Sequence, residues 1–327
     1  MDNKPFVSAL LVTRNEKDYI EMSLMSFINQ TYPKDRYEII IIDGQSDDGT
    51  LDIIKEFQKK YNNEAFQISL LTNKKRILSS GWNIGIKAAK GEYVIRIDAH
   101  ATAQEDYIEK CVEELIEHSD ATCVGGKIIS QSLNGDEDVI SKVLSSPFGV
   151  GNSPFRVATK AGYTDTVGYP LFRKSLFEQV GFFDETLVRN QDVDFLRRMR
   201  EAGGKCYFNP DLTCTYYTRN SLKKMLKQAF GNGRWNMVLL RRNHSVHSLR
   251  HLMPFFFVSF IVLDLIASLF FPMLLWLLLF VIVLHLLLGF VFAIKRTKKF
   301  GEVMVMPFYF FMLHCAYGLG YYRGIFN

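Results

Sequence analysis

A carboxylate and an imidazole follow one apolar segment of the sequence at a spacing that suits a divalent cation. Residues 91–97 have the apolar pattern of a strand, Asp98 ends it, and His100 follows with only a small Ala99 between them. Side chains two positions apart in an extended chain point the same way, so Asp98 and His100 can bind one metal ion, Mn²⁺ or Mg²⁺. A strand that ends in an ordinary polar turn explains these residues equally well. Only the surrounding sequence can distinguish a metal site from such a turn.

The elements around this pair alternate between apolar strands and amphipathic helices. A helix is expected after the first strand, with Asn15 as its N-cap and Asp18 in its first turn. Strands that alternate with helices predict an α/β fold with a doubly wound, mostly parallel sheet, and ligands bind beyond the carboxyl ends of such strands. The expected strands cover residues 6–12, 37–42 and 66–71, the run from Gly91 into Asp98, and residues 205–208 and 212–218. The expected helices between the first four strands include residues 51–61 and 78–89.

An acidic loop, residues 43–50, follows the second strand and therefore lies at the same edge of the predicted sheet as Asp98. Asp43 can accept a hydrogen bond from a nucleobase or a ribose, although a capped, solvated turn has the same composition. No GxGxxG motif follows the first strand, and the chain has no GxxxxGK[ST] motif. Most dinucleotide-dependent dehydrogenases and P-loop enzymes are thereby excluded.

The charge distribution indicates a membrane surface and argues against nucleic acid as a partner. The formal net charge of the 327 residues is only +5, and residues 252–322 consist mostly of Phe, Leu, Val, Met and Tyr. Five cysteines show neither a CxxC pair nor metal-ligand spacing, as expected for reduced thiols in a cytosolic domain. Much of the basic excess lies beside or within the apolar region, as Arg241, Arg242, Arg250, Lys295, Arg296, Lys298 and Lys299.

The apolar region is long enough for two or three membrane helices. Residues 252–294 contain one formal charge, Asp264, and are about twice as long as the ~20 residues that one span needs. Two helices broken near Pro272 leave the basic clusters on the cytosolic side. Residues 303–322 form a third stretch that either spans the bilayer or lies in its plane, and residues 221–250 are amphipathic and basic, as in an interfacial helix.

An ordered set of motifs resembles family 2 glycosyltransferases, which are inverting enzymes with the GT-A fold and nucleotide-sugar donors. The closest resemblance is to the succinoglycan-type glucosyltransferases, over about the first 240 residues. In order, the motifs are Thr13-Arg14-Asn15-Glu16, Asp43 with Ser46-Asp47-Asp48-Gly49-Thr50, Asn83-Ile84-Gly85 with Ala88-Ala89-Lys90-Gly91-Glu92-Tyr93, Asp98-Ala99-His100, Arg189-Asn190-Gln191-Asp192 and Gly233-Arg234-Trp235.

The resemblance implies a role for each of these segments. Asp43 would contact the base, and Thr13, Arg76 and Asn83 would complete the nucleotide-sugar site. Asp98 would bind both the nucleotide-sugar and the metal, and His100, which stands where the family usually has Asp, would be the second metal ligand. Imidazole suits manganese better than magnesium, so the metal identity stays open.

Asp192 corresponds to the catalytic base of the family, although Gln191 replaces the usual Glu before it. Its expected position near a helix N-terminus favours an ionised carboxylate, which a general base needs at the start of the reaction. An acidic residue in the first turn of an ordinary helix is the alternative explanation.

Arg234 and Trp235 resemble the end of the QxxRW motif of processive polysaccharide synthases, with Gly231 in place of the Gln. Arg234 would pair with a diphosphate, and Trp235 would pack over a sugar ring or the acceptor. Anchoring at the headgroup level is an equally good explanation for Trp235.

We therefore expect three regions: a GT-A domain over residues 1–220, interfacial helices over 221–251 and a membrane domain over 252–327. We expect the protein to lie in the cytoplasmic membrane with its catalytic domain in the cytosol. It would move a hexose from a UDP-sugar to a polyprenyl-diphosphate-linked saccharide in bacterial exopolysaccharide or capsule repeat-unit synthesis. A processive polysaccharide synthase and a non-catalytic membrane scaffold are the alternatives.

Overall fold

The computed structural model describes residues 4–133, 138–218, 221–243 and 249–326. The chain divides into two compact units. The first comprises Met1–Ile129 and Ala158–Tyr217, and the second comprises Ser130–Val157 and Thr218–Asn327. Residues 130–157 thus group with the C-terminal helices, which the predicted regions did not anticipate.

Nine strands and thirteen α-helices lie in the described residues, together with a short 3₁₀ helix at Lys34–Arg36. The strands are β1 (Val7–Thr13), β2 (Tyr37–Asp43), β3 (Ile68–Thr72), β4 (Tyr93–Asp98), β5 (Ala101–Ala103), β6 (Cys123–Gln131), β7 (Gly162–Thr164), β8 (Gly168–Arg173) and β9 (Cys206–Tyr217). The helices are α1 (Ile20–Ile28), α2 (Thr50–Tyr61), α3 (Leu78–Ala88), α4 (Tyr107–Glu117), α5 (Val139–Leu144), α6 (Pro147–Val150), α7 (Pro154–Val157), α8 (Ser175–Val180), α9 (Gln191–Glu201), α10 (Leu222–Asn243), α11 (Leu249–Ser268), α12 (Leu274–Arg296) and α13 (Phe300–Ile325).

The first unit contains a mixed sheet with the strand order β3-β2-β1-β4-β8-β6-β9-β5, and β7 pairs with β9. Strands β3, β2, β1 and β4 are parallel, as predicted. Every residue of β1 and β2 is buried, because helices cover both faces of a parallel sheet. These apolar strands form the core with Ile20, Leu24 and Phe27 of α1.

The first helix starts later than the sequence predicted, and Asn15 is not its N-cap. Helix α1 begins at Ile20, whereas Asn15 has the left-handed φ of 56°. Its side chain instead exchanges two hydrogen bonds with Asp47: the Asn15 amide donates to Oδ1 at 2.8 Å, and the Asp47 N–H donates to Asn15 Oδ1 at 3.0 Å. The Asn15 side chain is therefore bound to Asp47, a residue distant in sequence, and does not cap the N-terminus of α1.

Strand β9 is continuous where the sequence predicted two strands, over residues 205–208 and 212–218. Strand β7 pairs with Cys206–Phe208 and β5 pairs with Cys214–Tyr216, so Pro210 lies in the gap between the two partners. A proline is tolerated there because it interrupts neither of these two ladders. On the β6 side the approach is close, since a Cβ on Gly126 would lie 1.8 Å from the Leu212 carbonyl oxygen.

The second unit contains three helices that are long and apolar enough to cross a membrane, among those that the structure describes. Their mean hydropathy is 1.9 for residues 251–268, 3.0 for α12 and 1.5 for α13. The break predicted near Pro272 lies in the turn between α11 and α12. Helix α13 continues through Pro307 without interruption.

Helix α10 packs closely along α13 through glycines. A Cβ on Gly233 would lie 2.0 Å from the Tyr317 carbonyl oxygen, and one on Gly320 would lie 2.1 Å from that of Phe230. Small residues that allow such backbone approach are typical of helix packing in membranes. The short helices α5 and α6 also dock here, with the Phe148 ring 5.2 Å from the ring of Phe310.

Candidate active site

Polar residues meet at the carboxyl ends of the parallel strands in the first unit. Thr13 and Asp43 are register partners, and Val12 pairs with Asp98 on the other side of β1. The side chains predicted at three separate strand ends therefore lie at one edge of the sheet. A cavity of about 230 Å³ at this edge is lined by Val12, Thr13, Arg14, Glu16, Gly44, Asn73, Arg76, Ile77, Leu78, Asp98, Ala99 and His100.

Asp43 is almost fully buried, with 4% of its surface exposed, and the loop after β2 holds its carboxylate. The backbone N–H and the hydroxyl of Ser46 donate hydrogen bonds to it at 3.0 and 2.6 Å. A carboxylate has about four acceptor positions, so further donors can still bind. Asp43 itself does not line the cavity described above, but the next residue, Gly44, does.

Arg76 brings a cation to the cavity from the loop before α3. Its φ of 58° is left-handed, a conformation that costs a non-glycine residue about 1 kcal/mol or more. The Nε of Arg76 donates a hydrogen bond of 2.8 Å to Gln45 Oε1 in the loop after β2. A guanidinium fixed in this way suits the phosphate groups of a nucleotide.

Asp98 and His100 line the same cavity. Asp98 ends β4, and His100 lies in the turn between β4 and β5. The Tyr169 hydroxyl donates to Asp98 Oδ2 at 3.4 Å, and His100 Nδ1 lies 3.3 Å from Glu16 Oε1. The Nδ1 atom is buried and has no hydrogen-bond partner within the described part of the chain. The ring of Tyr216 meets the imidazole edge-on at 4.9 Å.

The carboxylate of Asp98 and the imidazole of His100 fit a divalent cation that is also coordinated by a phosphorylated substrate. A carboxylate and an imidazole suit Mn²⁺, and such ions commonly take only one or two protein ligands beside phosphate oxygens. Within the described residues, three ligand atoms lie within 4.8 Å of one another only at Glu114, Glu117 and His118 of the α4 region, outside the cavity.

Asn83 does not line the cavity but holds the loop that precedes α9. Its Nδ2 donates at 2.9 Å to both the Phe183 carbonyl and Glu185 Oε1, and the Phe183 N–H donates to its Oδ1 at 3.0 Å. A hydrogen bond from Lys75, followed by the one from Asn83, holds the pKa of Glu185 below its usual value. The predicted nucleotide contact of Asn83 stays a prediction, and its contacts here belong to the loop.

Asp192 lies in the first turn of α9 and keeps 44% of its side chain exposed. Arg96 Nη2 lies 3.6 Å from Asp192 Oδ2. The guanidinium of Arg96 sits over the rings of Trp82 and Phe183, at 5.3 and 5.6 Å from their centres. A half-exposed carboxylate beside a fixed cation is available to a substrate.

The second acid of this turn has a different environment. Asp194 is buried and accepts hydrogen bonds from Arg197 at 3.1 Å and from Arg198 at 2.9 Å. These charge-assisted bonds lie within the same helix, so Asp194 stabilises α9 itself. Of the two acids, only Asp192 has the exposure that a base needs.

Sequence reasoning missed Arg96 and Glu16 as members of this site. Arg96 interrupts the apolar pattern of β4 two residues before Asp98, and side chains at that spacing share a face of the strand. A charged residue in a buried strand was the available signal for Arg96. Glu16 ends the motif Thr13-Arg14-Asn15-Glu16, but its neighbour His100 is distant in sequence, so the spacing gave no reason to pair the two.

Arg234 and Trp235 belong to the second unit, on α10. The Arg234 guanidinium lies 5.9 Å from the centre of the Trp235 ring. The backbone of α10 at this turn faces α13, since a Cβ on Gly320 of α13 would lie 2.9 Å from the backbone nitrogen of Arg234. Their predicted contacts with diphosphate and acceptor stay predictions.

The family model "Glycosyl transferase family 2" matches residues 8–181, which is more than half of the chain. The chain belongs to glycosyl transferase family 2. This confirms the predicted family and the predicted α/β fold. The match covers β1 to β4 and therefore the strand ends that line the cavity.

Two curated relatives extend the similarity beyond the family match. The dolichyl N-acetyl-alpha-D-glucosaminyl phosphate 3-beta-D-2,3-diacetamido-2,3-dideoxy-beta-D-glucuronosyltransferase of Methanococcus voltae is 33% identical over 325 residues, 98% of this chain and 97% of the relative. The succinoglycan biosynthesis protein ExoA of Rhizobium meliloti is 28% identical over 243 residues, 73% of this chain and 72% of the relative. The predicted succinoglycan-type resemblance is confirmed.

A solved structure has the same fold over nearly the whole chain. The mannosyltransferase PcManGT of Pyrobaculum calidifontis, in complex with GDP-Man and Mn²⁺, superposes with a TM-score of 0.63 at 18% identity. The superposition covers 97% of this chain and 88% of that one. The likeness therefore includes the C-terminal apolar helices as well as the sheet.

Proposed function

We propose that this glycosyltransferase is a membrane-anchored inverting enzyme that moves a hexose from a UDP-sugar to a saccharide linked to a polyprenyl lipid through phosphate or diphosphate. The contact between Arg96 and Asp192 carries the proposal. Arg96 precedes the proposed metal ligand Asp98 by two residues on β4 and reaches the proposed base across 3.6 Å. Strand β4 therefore positions both the proposed metal ligand Asp98 and the residue that contacts the proposed base.

The donor would bind at the carboxyl edge of the sheet. Asp43 and Thr13 would receive the nucleoside, and Arg76 would pair with its phosphates. Asp98 and His100 would hold a divalent cation, which neutralises charge that grows on the leaving diphosphate. The Mn²⁺ in the complex of the structural relative supports this choice of ion.

The acceptor would react by a single displacement. Asp192 accepts the proton of an acceptor hydroxyl while the oxygen of that hydroxyl forms a bond to C1 of the donor sugar. The bond from C1 to the diphosphate oxygen breaks on the opposite face, so the anomeric configuration inverts. Arg96 holds the Asp192 carboxylate in position for this proton transfer.

The apolar helices support a lipid-linked acceptor. The Methanococcus relative is named for a transfer to a sugar on dolichyl phosphate, and the similarity covers 97% of its length. Lys295, Arg296, Lys298 and Lys299 at the connection between α12 and α13 favour the cytosolic side. With α11 and α12 both spanning the bilayer, the residues before α11 would lie on that side too, which supports a cytosolic catalytic unit.

The experiment is a nucleotide-release assay on the purified full chain in detergent. UDP- and GDP-hexoses are supplied with Mn²⁺, Mg²⁺ or a chelator, and the acceptors are synthetic polyprenyl-linked saccharides with one or two phosphates. We expect metal-dependent release of UDP with one acceptor, and a product longer by one sugar. A ladder of products would instead indicate a processive synthase, and no release with any donor would indicate a scaffold.

A further inference from the structure

We propose that Glu16 is a positioning residue that prepares His100 to bind the divalent cation. The proposal rests on the metal site that the proposed function assigns to Asp98 and His100. It concerns how the imidazole presents its nitrogens, for which neither the family match nor the motif at residues 98–100 gives a reason.

The contact joins a buried carboxylate to a partly buried imidazole, whose side chain is 17% exposed. Glu16 is 8% exposed, and its Oε1 lies 3.3 Å from His100 Nδ1. The backbone holds Glu16 in place, because its N–H donates to Thr50 Oγ1 at 2.9 Å and its carbonyl accepts from the Tyr19 and Ile20 N–H groups at 2.9 Å. The carboxylate is therefore presented from a fixed turn at the start of α1.

The aromatic residues beside His100 restrict its ring. Tyr216 meets the imidazole at 4.9 Å and Tyr19 at 6.2 Å, both edge-on. Both contacts restrict rotation of the ring away from Glu16. The side chain of Glu16 also lines the cavity together with Asp98 and His100.

The chemistry of imidazole requires such a partner. A neutral histidine binds a metal through one ring nitrogen and carries its proton on the other, and the acceptor of that proton selects the tautomer. Nδ1 forms no hydrogen bond within the described residues, but Glu16 Oε1 lies 3.3 Å from it. A rotation of the ring that aligns the N–H with Oε1 lets Glu16 accept the Nδ1 proton, which leaves the lone pair of Nε2 for the cation. Carboxylates that hold a ligating histidine in this way typically contribute 10- to 100-fold in metal affinity.

The arrangement also explains why an Asp is not simply interchangeable with His100 in this chain. A carboxylate at position 100 has no proton to donate and would face the carboxylate of Glu16 in a partly buried place. Two like charges at this distance repel strongly when desolvated. Glu16 and His100 therefore form a matched pair, and the effect of changing Glu16 depends on which residue occupies position 100.

The test measures Mn²⁺ affinity by the EPR signal of free Mn²⁺, with the full chain in detergent and UDP present. The variants are Glu16→Gln, His100→Asp and the double variant, and Glu21→Gln on the exposed side of α1 is the matched control. We expect Glu16→Gln to raise the Mn²⁺ Kd about 10- to 100-fold in the chain with His100. In the His100→Asp chain, the same change leaves the Kd unchanged or lowers it.

Three results would overturn the proposal. An equal loss of affinity from Glu16→Gln in both backgrounds would make Glu16 a direct metal ligand, and no change in either would remove it from the site. A Glu16→Gln variant that loses only metal-free UDP binding would make it a nucleoside contact. Asp98→Asn is measured beside them, because unchanged Mn²⁺ binding in that variant would refute the proposed metal site itself.

Discussion

Substitution of Asn83 separates a loop-positioning role from a nucleotide contact. In Asn83→Ala the Phe183 N–H and carbonyl lose their side-chain partners while Phe183 stays buried, with 4% of its surface exposed. Each buried backbone group left unpaired costs about 1–3 kcal/mol, so the loss for the two groups amounts to about 2–6 kcal/mol. For a domain of this size, each kcal/mol lowers the melting temperature by about 2–4 °C, so the melting temperature falls by about 4–24 °C.

Two assays on the same preparations decide the matter. Thermal unfolding gives the melting temperature, and calorimetric titration gives the UDP affinity with Mn²⁺ present. We expect Asn83→Ala to melt early yet bind UDP within about twofold of the wild-type affinity, and the exposed Asn29→Ala control to change neither. A tenfold loss of UDP affinity at an unchanged melting temperature would refute the positioning role and make Asn83 a nucleotide ligand.

Three further changes have expected outcomes. The hydrogen bond from Lys75 lowers the pKa of Glu185 in the folded state. The ionised Glu185 therefore stabilises the fold above pH 4.5, and this stabilisation is lost as the pH falls through the pKa of Glu185 in the folded state. We expect the difference in melting temperature between wild type and Glu185→Gln to shrink in acid. His314→Phe removes the 2.9 Å hydrogen bond to the Phe148 carbonyl and should cost about 1–3 kcal/mol in thermal unfolding; an unchanged midpoint contradicts that contact. Arg96→Met should lower kcat about 10- to 100-fold with little change in donor KM, and Arg96→Lys should recover part of it; a loss confined to KM would assign Arg96 to donor binding.

The parallel strands and their polar ends were accessible from sequence for a simple physical reason. A strand covered on both faces appears as a continuous apolar run, and the first polar residue after the run marks its carboxyl end. Asp43 and Asp98 were found in this way, and the register of β1 with its neighbours brings them to one edge. The chemistry of the edge followed from residue types alone.

Contacts between distant segments were not accessible in this way. Asn15 has the residue type of a helix cap, but its partner Asp47 comes from another loop. Arg96 and Asp192 are brought together only by the packing of α9 against the sheet, and nothing in their spacing indicates a contact. The same holds for Glu16 and His100, whose pairing depends on two loops at the sheet edge.

The grouping of residues 130–157 with the apolar helices was also beyond sequence reasoning. Helices α5, α6 and α7 are four to six residues long. Helices α6 and α7 begin at Pro147 and Pro154, and Gly151 lies between them. Segments of this length are too short to show a helical period. The packing of Phe148 against Phe310, a residue far along the chain, places them in the second unit.

The central claim is that Asp192 is the base of an inverting sugar transfer, and a single-turnover assay tests it most directly. Wild type and Asp192→Asn are loaded with donor and mixed with the lipid-linked acceptor, and NMR determines the anomeric configuration of the product. We predict an inverted product and a transfer rate about 10²- to 10⁴-fold lower in the variant, with donor affinity maintained. A near-normal rate in Asp192→Asn, or a product that retains the donor configuration, would contradict the account.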